Sequence, residues 1–205
     1  MGMKTKLVEL ITRENPVMFE IGAADGKDTD FLLNTITNVG LKLYCFEPDP
    51  RNIETFRNYI KDKRAELFEM AIGNLNGKET FYQSSTIYSS SLKRPTEHLF
   101  KSWPFIEFNN EFEVDVMTLD KFTCDHKIDI IDFIWADIQG AEDFMLEGGI
   151  DTFRNKVKYL YTEYSDIQYY HCEFTLKNIL DTLGNNWEIV EDCKTDVLVR
   201  NEKLI

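Results

Sequence analysis

Short apolar runs alternate with amphipathic stretches along this chain, and that alternation constrains the fold more than any other feature of the sequence. The runs at Val17–Ile21, 41–46 and 128–136 are short and rich in branched or aromatic residues, which is typical of buried strands. Between such runs apolar residues recur at helical spacing, as in 31–39. Because strands alternate with helices, we predict an α/β fold in which helices cover both faces of a mostly parallel sheet.

The end and the middle of the chain add two features to this fold. Short apolar segments at 187–190 and 197–199 predict a terminal hairpin, which makes the last strand antiparallel. Residues 84–110 are rich in serine and aromatic side chains and are long for an ordinary connection, so we predict a loop insertion over the active site. The length of 205 residues fits a single domain spanning 1–205.

The acidic composition limits the kinds of partner. The formal net charge of −13 argues against a nucleic-acid substrate and against an anionic membrane, because both bind mainly through Lys and Arg. We therefore expect a small-molecule substrate. Residues 1–12 lack the apolar segment of a signal peptide and no run reaches the about 18 apolar residues of a membrane span, so the expected location is cytoplasmic. No two of the four cysteines are spaced as CxxC, which leaves a zinc site without support.

The turn after the first predicted strand is the first candidate site. Gly22 lets the backbone turn tightly and approach a ligand, Ala23 keeps the site narrow, and Gly26 suits an unusual dihedral at the helix start. The spacing is not the G-x-G-x-x-G of dinucleotide enzymes, and the acids Glu20 and Asp25 flank the glycines. Carboxylates suit a ligand with an ammonium or a sulfonium, as in S-adenosylmethionine, better than a pyrophosphate. An ordinary strand-to-helix turn is the alternative.

Further candidates stand at the ends of the next two predicted strands. Glu47 is placed to accept hydrogen bonds from both hydroxyls of a ribose, and Pro48 stiffens the turn that follows. The alternative for Glu47 is a solvated acid near a helix N-terminus. Ala71, followed by Ile72 and Gly73, gives a small apolar surface that suits a flat adenine ring. We therefore expect Glu47, Pro48 and Ala71 to contact the nucleoside of the cofactor.

Two more acids end the strands that come later in the chain. Asp137 follows the most apolar strand, where it could hold the cofactor's ammonium, orient a substrate hydroxyl or bind a metal. Glu163 ends the following strand, and Asp137, Glu163 and His171 are the candidate bases. Mg²⁺ between Asp137 and Glu163 is a further possibility, because carboxylate oxygens suit hard cations. We assign Asp137 and Glu163 as the catalytic pair and leave the metal unknown.

Taken in order, these motifs make the chain resemble the FkbM family of S-adenosylmethionine-dependent methyltransferases. The resemblance extends over roughly residues 17 to 163. It rests on the turn at 20–26, on 46–50 with Asn52, on 71–73 with Gly77, on 89–91, on 116–120, on Ile130, Asp132 and Phe133 leading to 137–142, and on 146–149. Their order and spacing are together specific, although no single piece is.

The resemblance implies a class I methyltransferase fold, which is a Rossmann-like seven-stranded sheet with a reversed last strand. It implies O-methylation of a hydroxyl, often on a sugar or a natural-product scaffold. It carries cofactor contacts onto the following positions of this chain: Glu20, Gly22, Gly26, Glu47, Ala71 and Asp137. The chain departs from the family pattern at Glu20 and Ala24, where Asp and Asn are usual, and at Trp135, where Lys is usual. We assign no catalytic role to Trp135.

Two other functions are compatible with these residues. An NAD-dependent dehydrogenase would share Glu47, but it should have a second glycine where this chain has Ala24. A cofactor-binding protein without catalytic activity would explain the absence of Lys at Trp135. The acceptor, the oligomeric state and the choice between O- and N-methylation cannot be read from the sequence.

Overall fold

The computed structural model describes residues 2–205, which form ten strands and eight helices. In chain order these are α1 (Met3–Leu10), β1 (Val17–Ile21), α2 (Lys27–Thr35), β2 (Lys42–Phe46), α3 (Pro50–Tyr59), β3 (Ala65–Phe68), β4 (Ala71–Gly73), β5 (Gly77–Gln83), α4 (Glu97–Ser102), β6 (Asn110–Thr118), α5 (Leu119–Asp125), β7 (Phe133–Ala136), α6 (Glu142–Glu147), α7 (Ile150–Asn155), β8 (Tyr159–Glu163), α8 (Leu176–Leu183), β9 (Trp187–Asp192) and β10 (Asp196–Asn201).

Seven strands form the central sheet in the order β3-β2-β1-β7-β8-β10-β9. The pairs from β3 to β8 are parallel, whereas β10 is antiparallel to both β8 and β9. The predicted fold class is therefore confirmed, including the reversed last strand. That strand lies between β8 and β9, so the sheet ends at β9.

Each face of the sheet has its own apolar core, because successive side chains of a strand point to opposite faces. Phe19 and Ile21 of β1 pack on one face with side chains of α5, α6, α7 and α8. Met18, the residue before Phe19, packs on the other face with side chains of α1, α2 and α3. This alternation decides which side chains of the strand ends can reach a ligand.

A second sheet of three strands, in the order β4-β6-β5, was not predicted from the sequence. The apolar residues of the segment 65–72 predict a single strand, but the structure divides the segment at Glu69 and Met70 into β3 and β4. The first half pairs with β2 in the central sheet, and Ala71–Gly73 pairs with β6 instead. Pairing with a distant strand is not visible in local sequence patterns. The helices α1, α5 and α7 were also not predicted.

The insertion at 84–110 connects β5 to β6 and contains helix α4, so it is more ordered than the predicted loop. It is joined to the segment 164–175 by an isolated bridge between Pro95 and Tyr170. Lys93 forms a buried ion pair with Asp143 of α6 and donates to the carbonyl of Cys172 at 2.8 Å. These contacts hold the insertion over the ends of the central strands. Across residues 2–205, no helix has both the length and the apolar character needed to cross a membrane.

Candidate functional site

A cavity of about 620 Å³, here called the inner cavity, opens at the carboxyl ends of the central strands. Ligands bind at this edge in open α/β sheets. Five residues that the sequence predicts as cofactor contacts belong to its wall, namely Gly22, Glu47, Pro48, Ala71 and Asp137. The structure thus brings together, from four separate strand ends, residues that are far apart in the chain.

Gly22 holds the centre of the turn in a conformation that only glycine adopts easily. Its φ is +91°, and its N–H and that of Ala23 both donate to the carbonyl of Phe46 at 3.0 Å. A Cβ at this position would lie 1.9 Å from the backbone oxygen of Asp137. The turn is therefore packed against the ends of β2 and β7, and this contact leaves no room for a side chain.

Ala23 and Gly26 shape the turn but do not belong to the wall of the inner cavity. Ala23 is buried in the core beneath α2. Gly26 has a φ of +86° at the start of α2, where a Cβ would lie 2.8 Å from the side chain of Ile60. Both residues support the geometry of the turn, and their contacts with the cofactor stay predictions.

Glu20 lies behind the turn rather than in the cavity wall. Its side chain is only 1% exposed, and its Oε2 accepts hydrogen bonds from the Thr29 hydroxyl at 2.5 Å and from Cys45 Sγ at 3.5 Å. Because side chains alternate along β1, Glu20 shares the face of Met18 and points towards α2. Burial raises the pKa of Glu20 to about 8. The structure therefore places Glu20 outside the wall of the inner cavity, and the cofactor contact of Glu20 stays a prediction.

The raised pKa of Glu20 predicts how stability depends on pH. In the unfolded chain Glu20 loses its proton above the ordinary pKa of 4.5, whereas the folded protein keeps that proton up to a pH of about 8. The contribution of Glu20 to the free energy of unfolding therefore falls as the pH rises from about 4.5 to about 8. Glu20→Gln mimics the protonated acid. We expect it to remove this slope, which is at most about 1.4 kcal/mol per pH unit, and to stabilise the protein at pH 8 by on the order of 2 kcal/mol.

Urea unfolding at pH 5.5 and pH 8 measures this effect. The matched control is Glu66→Gln, because Glu66 is exposed on β3 and should keep the slope of the wild type. An unchanged pH slope in Glu20→Gln would contradict the buried, protonated state of Glu20.

Asp25 connects the turn to the insertion. Its Oδ2 accepts a hydrogen bond from the Tyr88 hydroxyl at 2.7 Å and forms an ion pair with Lys27 at 2.8 Å. Its side chain is therefore engaged by Tyr88 and Lys27 and lies outside the wall of the inner cavity. Tyr88 itself is part of that wall, and the cofactor contact of Asp25 stays a prediction.

Glu47 is the buried carboxylate at the end of β2. Its Oε2 accepts from the backbone N–H of Ala24 at 2.8 Å, and its Oε1 accepts from that of Asp49 at 2.7 Å. Its side chain belongs to the cavity wall, and burial raises its pKa to about 7. Each carboxylate oxygen can accept a second hydrogen bond, so Glu47 is held in place and still has acceptor capacity towards the cavity.

A second cavity of about 1200 Å³, here called the outer cavity, adjoins the first beneath the insertion. Tyr88 and Gln139 belong to the walls of both cavities. The outer wall is rich in aromatic side chains, which are Tyr88, Trp103, Phe105, Tyr164, Tyr169 and Tyr170. Its polar side chains include Glu163 and Glu173. The two cavities thus offer adjacent places for two different molecules.

Asp137 and Glu163, the two predicted catalytic acids, meet where the cavities adjoin. Asp137 belongs to the inner wall and Glu163 to the outer wall. Gln139 joins them, since its Nε2 donates to Asp137 Oδ1 at 2.7 Å and to Glu163 Oε2 at 3.3 Å. Burial and the neighbouring charge of Asp137 raise the pKa of Glu163 to about 10, and burial also raises the pKa of Asp137. At neutral pH Glu163 is therefore protonated.

The donor set around this pair does not suit a divalent cation. Within residues 2–205 no three His, Cys, Asp or Glu side chains are grouped so that they could hold a metal ion. Asp137 and Glu163 instead receive the amide donor of Gln139. The structure therefore gives no support to Mg²⁺ between these two acids.

Three residues considered from the sequence lie away from both cavity walls. His98 and His171 are exposed, and neither belongs to a wall. Trp135 packs between Phe31 and Tyr161 on the face covered by α2, at ring-centroid distances of 6.0 and 4.5 Å. Its position supports the decision to give Trp135 no catalytic role.

Sequence reasoning missed Tyr88 and Gln139 as members of the site. Tyr88 lies in the insertion, whose aromatic residues showed no pattern that separates a local core from a binding surface. Gln139 stands two residues after Asp137, and it was assigned only to the start of a helix. In the structure both Gln139 and Gly140 have positive φ, of 54° and 85°, so this segment is a turn that aims the amide at the acids.

Comparisons with known proteins agree with this geometry. The family model described as the methyltransferase FkbM domain matches residues 20–194. The chain is 34% identical over 211 residues to the 2-O-methyltransferase NoeI of Sinorhizobium fredii (strain NBRC 101917 / NGR234), with 97% of this chain and 85% of that protein covered.

Two solved structures share the fold. A methyltransferase FkbM from Methylobacillus flagellatus KT aligns with a TM-score of 0.56 and 18% identity, covering 93% of this chain and 45% of that longer one. A candidate S-adenosylmethionine dependent methyltransferase from Listeria monocytogenes aligns with a TM-score of 0.51 and 7% identity, covering 96% of each chain. At these identities the structures establish the fold alone.

Proposed function

Because this chain belongs to the FkbM methyltransferase family, we propose that it is an S-adenosylmethionine-dependent O-methyltransferase that acts on a hydroxyl of a sugar or natural-product small molecule. The observation that carries the proposal is the meeting of two cavities beside the acids Asp137 and Glu163. The inner cavity would take the cofactor and the outer cavity the acceptor. In this proposal 84–110 is the acceptor-binding insertion of a single domain.

The wall of the inner cavity suits the cofactor. Glu47 would accept hydrogen bonds from ribose hydroxyls, and Ala71 with Ile72 would contact the adenine ring. Gly22 would allow the backbone to approach the cofactor closely, and the charge of Asp137 would favour its cationic end. When bound, S-adenosylmethionine supplies a methyl group that its sulfonium has already activated for displacement.

The chain's own part in the reaction is to orient the acceptor and to take its proton. Because Glu163 is protonated at neutral pH, Asp137, which belongs to the wall of the inner cavity, would be the proton acceptor of the pair. During transfer of the methyl group from the cofactor's sulfonium to the acceptor oxygen, Asp137 would take the proton that the hydroxyl loses. The protonated Glu163 would stabilise Asp137 by hydrogen bonding and would also face the acceptor.

The outer cavity favours a hydroxyl-bearing ring as the acceptor. Flat side chains such as Trp103 and Tyr169 offer faces on which a sugar or another ring can stack. Glu163 and Glu173 can accept hydrogen bonds from hydroxyl groups. The relative NoeI is described as a 2-O-methyltransferase, which supports oxygen rather than nitrogen as the methylated atom. Family membership favours methyl transfer over the dehydrogenase alternative.

Cofactor binding tests the first half of the proposal. We expect calorimetry to show that the wild type binds S-adenosylmethionine in the micromolar range. Glu47→Ala should weaken this binding at least tenfold, because a buried hydrogen bond to a charged group is worth about 1.5–3 kcal/mol. Glu54→Ala is the matched control, because Glu54 is exposed on α3. Equal affinities of Glu47→Ala and the wild type would refute the ribose contact.

Methyl transfer tests the second half of the proposal. The protein is incubated with methyl-labelled S-adenosylmethionine and a panel of sugars, glycosides and polyketides, and the products are examined for labelled methyl ethers. If the only labelled products were N-methyl compounds, the proposed acceptor atom, oxygen, would be wrong. Tight cofactor binding without transfer to any member of a broad panel would favour a cofactor-binding protein that lacks catalytic activity.

A further inference from the structure

The inner cavity contains a buried polar atom that no residue of the described chain satisfies. Asn52, on the first turn of α3, belongs to the cavity wall and is only 3% exposed. Its Oδ1 is buried and has no hydrogen-bond partner within residues 2–205. The other atoms with this property belong to Glu20, Thr35, Thr162, Trp187 and Arg200, and none of these residues lies in the wall of the inner cavity.

The orientation of the Asn52 amide is fixed by its neighbours. Its Nδ2 donates to the backbone carbonyl of Ile87 at 2.9 Å. Exchanging the nitrogen and the oxygen would place Oδ1 against that carbonyl oxygen, and both atoms are acceptors. The Nδ2 therefore faces Ile87, and Oδ1 is the atom left to receive a donor.

A buried acceptor without a donor costs free energy, so its persistence in a cavity wall points to a ligand that supplies one. Glu47, the neighbour of Asn52, is the residue assigned to the ribose. A ribose has two adjacent hydroxyl groups, and each can donate one hydrogen bond. The two acceptors of this chain, the Glu47 carboxylate and Asn52 Oδ1, therefore match the two donors of a vicinal diol.

We propose that Asn52 is a second ribose-binding residue, whose Oδ1 accepts a hydrogen bond from one ribose hydroxyl while Glu47 accepts from the other. This inference rests on the proposed binding of S-adenosylmethionine. Asn52 also contacts the insertion, because its Nδ2 donates a hydrogen bond to the backbone carbonyl of Ile87. Ile87 and Tyr88 both line the inner cavity, and Tyr88 also lines the outer one. Asn52 thus links the cofactor to the wall that the two cavities share.

Calorimetry with three ligands tests the assignment. The ligands are S-adenosylhomocysteine and its 2′-deoxy and 3′-deoxy counterparts, each titrated into the wild type, Asn52→Ala and Asn58→Ala. In the wild type we expect each missing hydroxyl to weaken binding about tenfold. In Asn52→Ala one of the two deoxy ligands should bind as tightly as S-adenosylhomocysteine, whereas the other should keep its tenfold loss. Asn58, exposed on the same helix, is the control and should behave as the wild type.

The ratio of affinities separates binding from a merely structural effect. If Asn52→Ala only disturbs the insertion, all three ligands weaken by the same factor and the ratios stay at their wild-type values, which overturns the proposal. A wild type that binds S-adenosylhomocysteine with affinity independent of both hydroxyls also overturns it. A wild type that does not bind S-adenosylhomocysteine at all refutes the proposed function itself, and the inference fails with it.

Discussion

Replacing Asp137 by asparagine is expected to lower the rate of methyl transfer by about two to three orders of magnitude, which is the usual contribution of a positioned acid or base. The substitution keeps the size of the side chain and an oxygen that can accept from Gln139 Nε2, a bond of 2.7 Å in the native protein. It removes the charge that would take the hydroxyl proton. Single-turnover rates with labelled S-adenosylmethionine measure the effect, and calorimetry should show a much smaller change in cofactor affinity.

Glu163→Gln is the matched comparison for this prediction. Because burial and the charge of Asp137 raise the pKa of Glu163 to about 10, the native side chain is protonated at pH 7, and glutamine is close to it in shape and charge. We therefore expect Glu163→Gln to keep the rate within a few-fold of the wild type at pH 7. The pKa of Asp137 is also raised. In both proteins, therefore, the rate of methyl transfer should fall on acidification at a pH higher than the pKa of an ordinary aspartate. A Glu163→Gln variant as impaired as Asp137→Asn would make Glu163 the proton acceptor instead.

Gly22→Ala is expected to cost on the order of 4 kcal/mol of unfolding free energy and to abolish cofactor binding. The new Cβ would lie 1.9 Å from the backbone oxygen of Asp137, so either β7 or the turn must move. The φ of +91° adds strain for any residue with a side chain. Urea unfolding measures the stability, and calorimetry with S-adenosylmethionine measures the binding.

Gly184→Ala separates the collision from the backbone strain. Gly184 ends α8 with a φ of +87°, but a Cβ there would meet nothing within 4 Å. This variant should therefore lose only about 1–2 kcal/mol, which is the cost of the unfavourable dihedral. Equal losses in the two variants would show that the close packing of Gly22 against Asp137 has no energetic weight.

The sequence predicts which strand-end residues line the inner cavity, because the evidence for them is local. Glu47 and Asp137 each follow an apolar run, and the carboxyl ends of parallel strands meet at one edge of a sheet. The position of Gly22 was likewise visible from its place between a strand and a helix. Strand pairing then brought these residues together as the α/β pattern predicts.

The parts that were missed depend on contacts between distant segments. Local sequence does not reveal that Glu20 points towards Thr29, because this depends on which face of the sheet α2 covers. It does not reveal that Ala71–Gly73 pairs with β6 in a second sheet. It also gives Gln139 no special status, since its role comes from two acids that are 26 residues apart in the chain, at positions 137 and 163.

The origin of the outer cavity has an evolutionary consequence. Most of its wall comes from 84–110 and 164–175, two segments that contribute no strand to the central sheet. Trp103 and Phe105 are partly exposed there, so exchanging them removes little buried apolar surface from the cores on either face of the sheet. Under the proposed function, mutations in these segments would diversify the acceptor while the sheet, the glycine turn, Asp137 and Glu163 are inherited unchanged. Descendants of one such scaffold would then acquire new acceptors by drift in two loops, without having to evolve a new way of binding the methyl donor.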